Sequence, residues 1–268
     1  MIRIVIKVGM GPALALVGLC ACQGRVAAPP PGVAAARPSE AAYRTPPNVT
    51  SATLVPDGRV RLVGSAMPSD RVRLTSPAGS AAYARTGAGG SWRMFIAPAE
   101  RPRLFGLSMI DQGRPVQAEG YLAVTPDGQA AQLRSGAGAV AIGNHGSTLA
   151  ILAVDFDSKG GTVVSGRASP RALLDLWVDG ARRGRGVAGR DGSFSVALDE
   201  PLSFAGHHLE VIDGGRKAVA EPTLAPVAAF ADGPYRTSAV AGGWRIDWRT
   251  PGGGVQTTLL LDQHGGLT

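Results

Sequence analysis

The sequence predicts an all-β protein built as two β-sandwiches in tandem with a C-terminal β-hairpin, and three observations point there. The chain has 38 Gly and 20 Pro among 268 residues and only 5% aromatic residues, a composition of short strands and many turns, because Gly and Pro end helices but punctuate sheets. Apolar and polar residues alternate with period two through segment after segment, as half-buried strands require. The third observation is a repeat. "LSMIDQGR" at 107–114 returns as "LEVIDGGR" at 209–216, and laying 58–122 over 160–224 without a gap, at an offset of 102, gives 16 identities in 65 positions where composition alone gives roughly five.

At the front of the chain, Arg3 and Lys7 precede an apolar run from Gly9 to Leu19 that is too short for a permanent membrane span and reads as an export signal. The run ends in "LCAC", which holds both cysteines of the protein, Cys20 and Cys22, so none is left to staple a later domain. This stretch resembles the lipobox of bacterial lipoproteins. Leu19 and Ala21 stand where that motif needs Leu and a small residue before Cys22, whereas Cys20 would have Leu19 at the small-residue place. The resemblance implies residues 1–21 as signal peptide, lipidation on Cys22, and, from Gln23 in place of Asp, sorting to the outer membrane with the protein on its periplasmic or surface face. The alternative is an ordinary secretory signal cleaved near Ala27 or Ala28. Residues 22–47, rich in Pro and Ala and without an apolar period, read as a disordered tether.

The first sandwich is expected over 48–125. "NVTSATLV", "RVRLVG", "RVRL", "SWRMFI", "LFGLSMI" and "PVQAEGYLAV" supply its strands, and a connector occupies 126–148. The second, over 149–228, places "STLAILAVDF", "TVVSG", "LLDLWV", "SFSVAL", "HHLEVI" and "KAVAEPTL" at matching positions. Turn dipeptides Asp57-Gly58, Gly160-Gly161, Asp179-Gly180, Asp191-Gly192 and Gly214-Gly215 divide the strands. Identities between the copies fall on this punctuation, since turns need particular backbone angles while strands need only an apolar face. Six or so strands in each copy fit an immunoglobulin-like sandwich, and the pattern "G-A-P…V-L…DG…G-S-W" resembles the bacterial Ig-like repeats of cell-envelope and surface proteins. In the extension over 229–268, Trp244, Ile246 and Trp248 alternate on one face, Thr250 to Gly254 turn, and Val255, Thr257, Leu259 and Leu261 alternate back, which is a hairpin. The segment after the first copy parallels this one loosely.

Chemistry is sparse. The net charge is +7, which supports weak attraction to anionic polymers and predicts no nucleic-acid partner. Gly184, Gly186 and Gly189 spell a dinucleotide fingerprint, but a strand comes next instead of a helix. "DFDSKGG" from Asp155 begins like a calcium loop, yet the twelfth place is Gly166 where a bidentate Glu is needed. Adjacent His207 and His208 face opposite sides of a strand and do not chelate together. No catalytic residue, metal site or cofactor is predicted. Two candidate sites remain. "GARRGRGVAGR" places Arg182, Arg183, Arg185 and Arg190 between two predicted strands, where guanidinium forks suit phosphate or uronate. Trp244 and Trp248 either pack the hairpin or present an aromatic strip to a glycan. The expected role is that of a lipid-anchored envelope protein, a structural or binding module for adhesion or scaffolding, joined to the membrane by its N-terminal lipid and partnered by an envelope polysaccharide or protein. The other reading is a glycan- or peptidoglycan-binding accessory protein or an inhibitor of an envelope enzyme.

Overall fold

The computed structural model describes residues 44–143, 149–227, 230 and 232–262, and these residues form strands and turns throughout. The first repeat supplies β1 (Asn48–Leu54), β2 (Val60–Ser65), β3 (Arg71–Thr75), β4 (Ala81–Arg85), β5 (Ser91–Ile96), β6 (Arg103–Asp111) and β7 (Arg114–Gln117). Strands β1-β2-β5 make one sheet, and β4-β3-β6-β7 face it, with every pair antiparallel. The far half of β6 carries β8 (Tyr121–Val124), then β9 (Ala130–Leu133) and β10 (Val140–Ile142). In the second repeat, β11 (Ala150–Asp157), β12 (Thr162–Arg167) and β15 (Ser193–Ala197) reproduce the first sheet. There β13 (Leu173–Val178), β14 (Ala181–Val187), β16 (Leu209–Asp213) and β17 (Arg216–Ala220) reproduce the second in the order β14-β13-β16-β17. The last residues form β18 (Tyr235–Val240), β19 (Gly243–Arg249) and β20 (Val255–Leu261).

The duplication extends to details of the backbone. A bulge lies between Val49 and Ser51 and again between Ile151 and Ala153. The turn in the repeated octapeptide has both central residues left-handed, Gln112 and Gly113 at φ 48° and 81°, Gly214 and Gly215 at 54° and 99°, as the right-handed twist of a two-residue hairpin requires. Gly64 and Gly166 are kept for room. A Cβ on Gly64 would lie 2.0 Å from the Asn48 carbonyl oxygen and 2.4 Å from the Trp92 ring, and one on Gly166 would lie 2.0 Å from the Ala150 oxygen and 2.7 Å from Phe194. Each copy thus lays an aromatic ring flat against its second strand.

Each sandwich closes over its own core. Leu62, Val72, Leu74, Trp92 and Met109 are among the residues filling the first, and Phe156, Val164, Leu176, Phe194 and Leu209 among those filling the second. Strands β4 and β14 are two elements that the alternation did not reveal, because "AAYAR" and "ARRGRGV" carry no large apolar residue on the inward side.

The segments after the two repeats dock differently, contrary to their loose parallel in sequence. Strands β9 and β10 extend the β6 sheet through β8, whereas β20 pairs with β11 and extends the opposite kind of sheet to the order β15-β12-β11-β20-β19-β18. These additions bring the outer faces of two sheets together in a third core. Leu104, Ala123, Ala131 and Leu133 from the first side meet Ala153, Ile246, Trp248 and Leu260 from the second, with Tyr121 edge-on to Trp248 at 5.7 Å between ring centroids. The turn between β9 and β10 is bound by polar contacts as well. The Ala139 amide donates to Asp155 Oδ2 at 2.7 Å, while Gln256 Nε2 and Thr258 Oγ1 donate to Oδ1 at 3.1 and 2.5 Å. The Gly136 amide in turn donates to Gln256 Oε1 at 3.0 Å. The described residues from Arg44 onward form one compact unit.

Trp248 is 1% exposed, and its Nε1 donates to Thr258 Oγ1 at 3.1 Å. Truncating such a ring costs about 3–5 kcal/mol. Trp248→Ala is therefore expected to lower stability by that order and to turn a single calorimetric transition into two, as the sandwiches lose their shared core.

Candidate functional site

Of the residues the sequence singled out, Cys22 lies outside the described residues. The two tryptophans differ in access. Trp248 is enclosed between the sandwiches, so its ring is closed to a glycan, and Trp244 is half-buried against the same core. The arginine cluster lies mostly on a strand. Arg182, Arg183 and Arg185 stand on β14 rather than in a loop, and two carboxylates offset part of their charge: Arg185 Nε donates to Asp175 Oδ1 at 2.9 Å, Arg182 lies 3.7 Å from the same oxygen, and Arg183 pairs with Glu200. Arg190 sits in the turn beyond and forms no ion pair among the described residues. These carboxylates compete with any anionic ligand, so the cluster offers less free charge than its four arginines suggest.

The first sandwich holds more unmatched arginines than the second. Between residues 58 and 99 there are six Arg against one acid, Asp70, a net of +5; the equivalent stretch 160–201 has six Arg against five acids, a net of +1. On β3 the inward residues are Val72 and Leu74, which leaves Arg71 and Arg73 outside. Arg71 faces Arg85 directly across the β3–β4 ladder, and Arg73 faces Tyr83. Like charges directly opposed in an antiparallel pair are destabilising, by up to about 1 kcal/mol. The second repeat avoids this at the same register, where Leu173 opposes Val187 and Asp175 opposes Arg185. Arg61, Arg71, Arg73, Arg85 and Arg93 make no ion pair among the described residues.

Two of them, Arg85 and Arg93, border the open side of the sandwich. There β4 ends one sheet and β5 ends the other, and the strands border a groove of about 360 Å³ lined by Tyr83, Arg85, Ser91, Trp92 and Arg93. Tyr83 is 48% exposed and Arg71 stacks over its ring at 3.9 Å. Trp92 is buried, and its Nε1 has no hydrogen-bond partner among the described residues. This constellation was missed in sequence because its members come from three strands. The signal present was the R-x-R spacing of Arg71 and Arg73 within an almost acid-free stretch.

A second polar cluster lies at one end of the second sandwich. His207 Nδ1 is 2.7 Å from Asp179 Oδ2, and its Nε2 is 2.9 Å from the Ser203 carbonyl oxygen and 3.5 Å from Ser203 Oγ. The order Ser, His, Asp invites comparison with a nucleophile and its base. The closest partner of each ring nitrogen is a pure acceptor, however, so the setting favours the doubly protonated ring, which has no lone pair to take a proton. Burial works against that charge, but the Asp179 carboxylate and the Ser203 carbonyl outweigh it and raise the His207 pKa. His208 is raised by Glu210 and Glu221, each within hydrogen-bond reach. The cluster ties the segment before β16 to the turn after β13.

No family model matches the chain, and no curated protein is similar to it at a significant level. Among solved structures, one described as "Biofilm associated protein - BSP domain" is similar over 68% of this chain and 30% of that chain, at 14% identity and a TM-score of 0.24. The chain thus spans less than a third of that structure's length, and a likeness at this level carries no argument about the fold or its use.

The histidine pair sets a pH dependence. A pKa raised on folding stabilises fully below the unfolded imidazole value, about 6.5, and the contribution fades as pH rises through the folded value. The protein is expected to melt at a higher temperature near about pH 6 than near about pH 8. His207→Gln/His208→Gln should shrink that difference, which thermal melting by circular dichroism at the two pH values measures.

Proposed function

We propose that the protein is a lipid-anchored component of the cell envelope, held at the outer membrane through acylated Cys22, and that it acts as a binding or scaffold module rather than as an enzyme. The observation that carries the binding role is the almost acid-free arginine face of the first sandwich, which opposes Arg71 to Arg85 where the second repeat uses an apolar pair. The fold does not require those charges, so a partner is the reason for them. The rigid joint supports the same reading, because a shared core fixes the direction in which that face is presented. Behind it, a Pro-rich tether of the kind expected over 22–47 extends at about 3.1 Å per residue and holds the module several nanometres from its anchor. Three acyl chains on Cys22 exceed the two signals that stable anchoring takes. The second reading, a glycan-binding accessory protein, is favoured by the groove beside Tyr83, where an exposed ring and unpaired guanidinium groups meet.

Fractionation tests the anchoring. The full chain is expected in the membrane fraction, with a mature N-terminal peptide whose mass carries diacylglycerol on Cys22, and Cys22→Ser is expected to move the protein to the soluble fraction. An unmodified, soluble wild-type protein would contradict the anchor.

A further inference from the structure

We infer that the groove between β4 and β5 binds an acidic polysaccharide through its carboxylates, with Arg85 and Arg93 as the anion clamp and Tyr83 as the sugar platform. This rests on the binding-module reading above and gives it a site and a ligand chemistry. The second repeat serves as an internal control. At the positions of Arg71, Arg85 and Arg93 it carries Leu173, Val187 and Ser195, and its strands pair in the same register. A sandwich of this kind therefore stands without cations at these places, and the first repeat has them on both walls of a groove.

The groove's chemistry selects the ligand class. Two guanidinium groups without carboxylate partners offer planar forks matched to a carboxylate. Lysine is scarce throughout the chain, so the charge of the site is carried by arginine alone, and the polyphosphate arm of the test below separates carboxylate from phosphate. Tyr83 keeps nearly half its surface open, beneath the Arg71 guanidinium, and Ser91 adds an exposed hydroxyl at the same rim. An aromatic face beside hydroxyl and guanidinium donors fits a ring that is apolar on one side and polar at its edge, which describes a sugar acid better than a bare phosphate chain. Single-stranded nucleic acid needs a run of stacking rings, and this groove has one exposed aromatic residue. Trp92 forms the floor of the groove as a buried ring, where the second repeat has Phe194. At about 360 Å³ the groove is at the small end of ligand clefts, sized for a short stretch of a chain that continues past both ends of the sheet edge.

The test is calorimetric titration of the full chain in detergent with an oligogalacturonate, a neutral oligosaccharide of equal length, and polyphosphate. The inference predicts binding of the oligogalacturonate alone, weakened at least tenfold in Arg85→Gln/Arg93→Gln and weakened also in Tyr83→Ala. In Arg182→Gln/Arg183→Gln/Arg185→Gln, where the charges are already paired, affinity should stay within twofold. Because all these side chains reach solvent, circular dichroism should show each variant folded. Equal binding of polyphosphate, equal loss in the second-sandwich variant, or no change in the Arg85/Arg93 variant would each overturn it. Absence of oligogalacturonate binding while a partner is still cross-linked in the envelope would overturn the ligand assignment and leave the module reading standing.

Discussion

A buried carboxylate fixes how the two sandwiches meet. Asp155 leaves β11 on the face away from its own sandwich, and its two oxygens accept from the amide of Ala139, the side chain of Gln256 and the hydroxyl of Thr258. These donors come from three places: the turn after the first sandwich, and two positions on the final strand. Burial raises the pKa of this group, and the three donors oppose that shift together with the charge of Arg134. A carboxylate without such partners is expensive to bury, so the arrangement exists only when the turn, β11 and β20 are all in place. Around it lies the apolar contact of Tyr121, Trp248 and Leu260. Polar specificity and apolar area act on the same joint, the first fixing geometry and the second supplying most of the stabilisation.

Duplication explains why such a joint was needed. Two copies of a sandwich joined by a flexible linker move independently by default. Here the extra strands after each copy became the mortar. Strands β9 and β10 broaden one sheet, β18 to β20 broaden another, and the broadened faces bury one another. The copies then diverged on their solvent faces. The second acquired acids beside its arginines, at Asp175 and Glu200, and became self-neutralised. The first kept or gained arginines without acids, and the cationic potential of the molecule concentrates there.

Much of the architecture was legible in the amino-acid sequence, and the reason is physical. Period-two alternation marks half-buried strands, and the shared turn residues mark positions where only certain backbone angles serve, so β2, β3, β5 and β6 and their counterparts β12, β13, β15 and β16 fall where "RVRLVG", "SWRMFI" and "LEVID" indicate. Strands β4 and β14 escaped because edge strands of an open sandwich need few large apolar residues. The third core escaped because its residues come from several strands and alternate no differently from ordinary outer-face positions. For the candidate site, local clustering misled. "ARRGR" looks like a concentrated cation in one dimension, but sheet pairing brings Asp175 and Glu200 onto it. Arg71, Arg85 and Arg93 are scattered along the chain, and only the folded sheets gather them.

Amide hydrogen exchange at the joint tests the central claim most directly, that a turn between the repeats is built into one shared core. If the turn is part of that core, the amides of Gly136 and Ala139 exchange as slowly as those of β11 and β20, through the same global opening. Exchange of those two amides at the rate of exposed loops, with β11 still protected, would mean that the sandwiches are merely tethered.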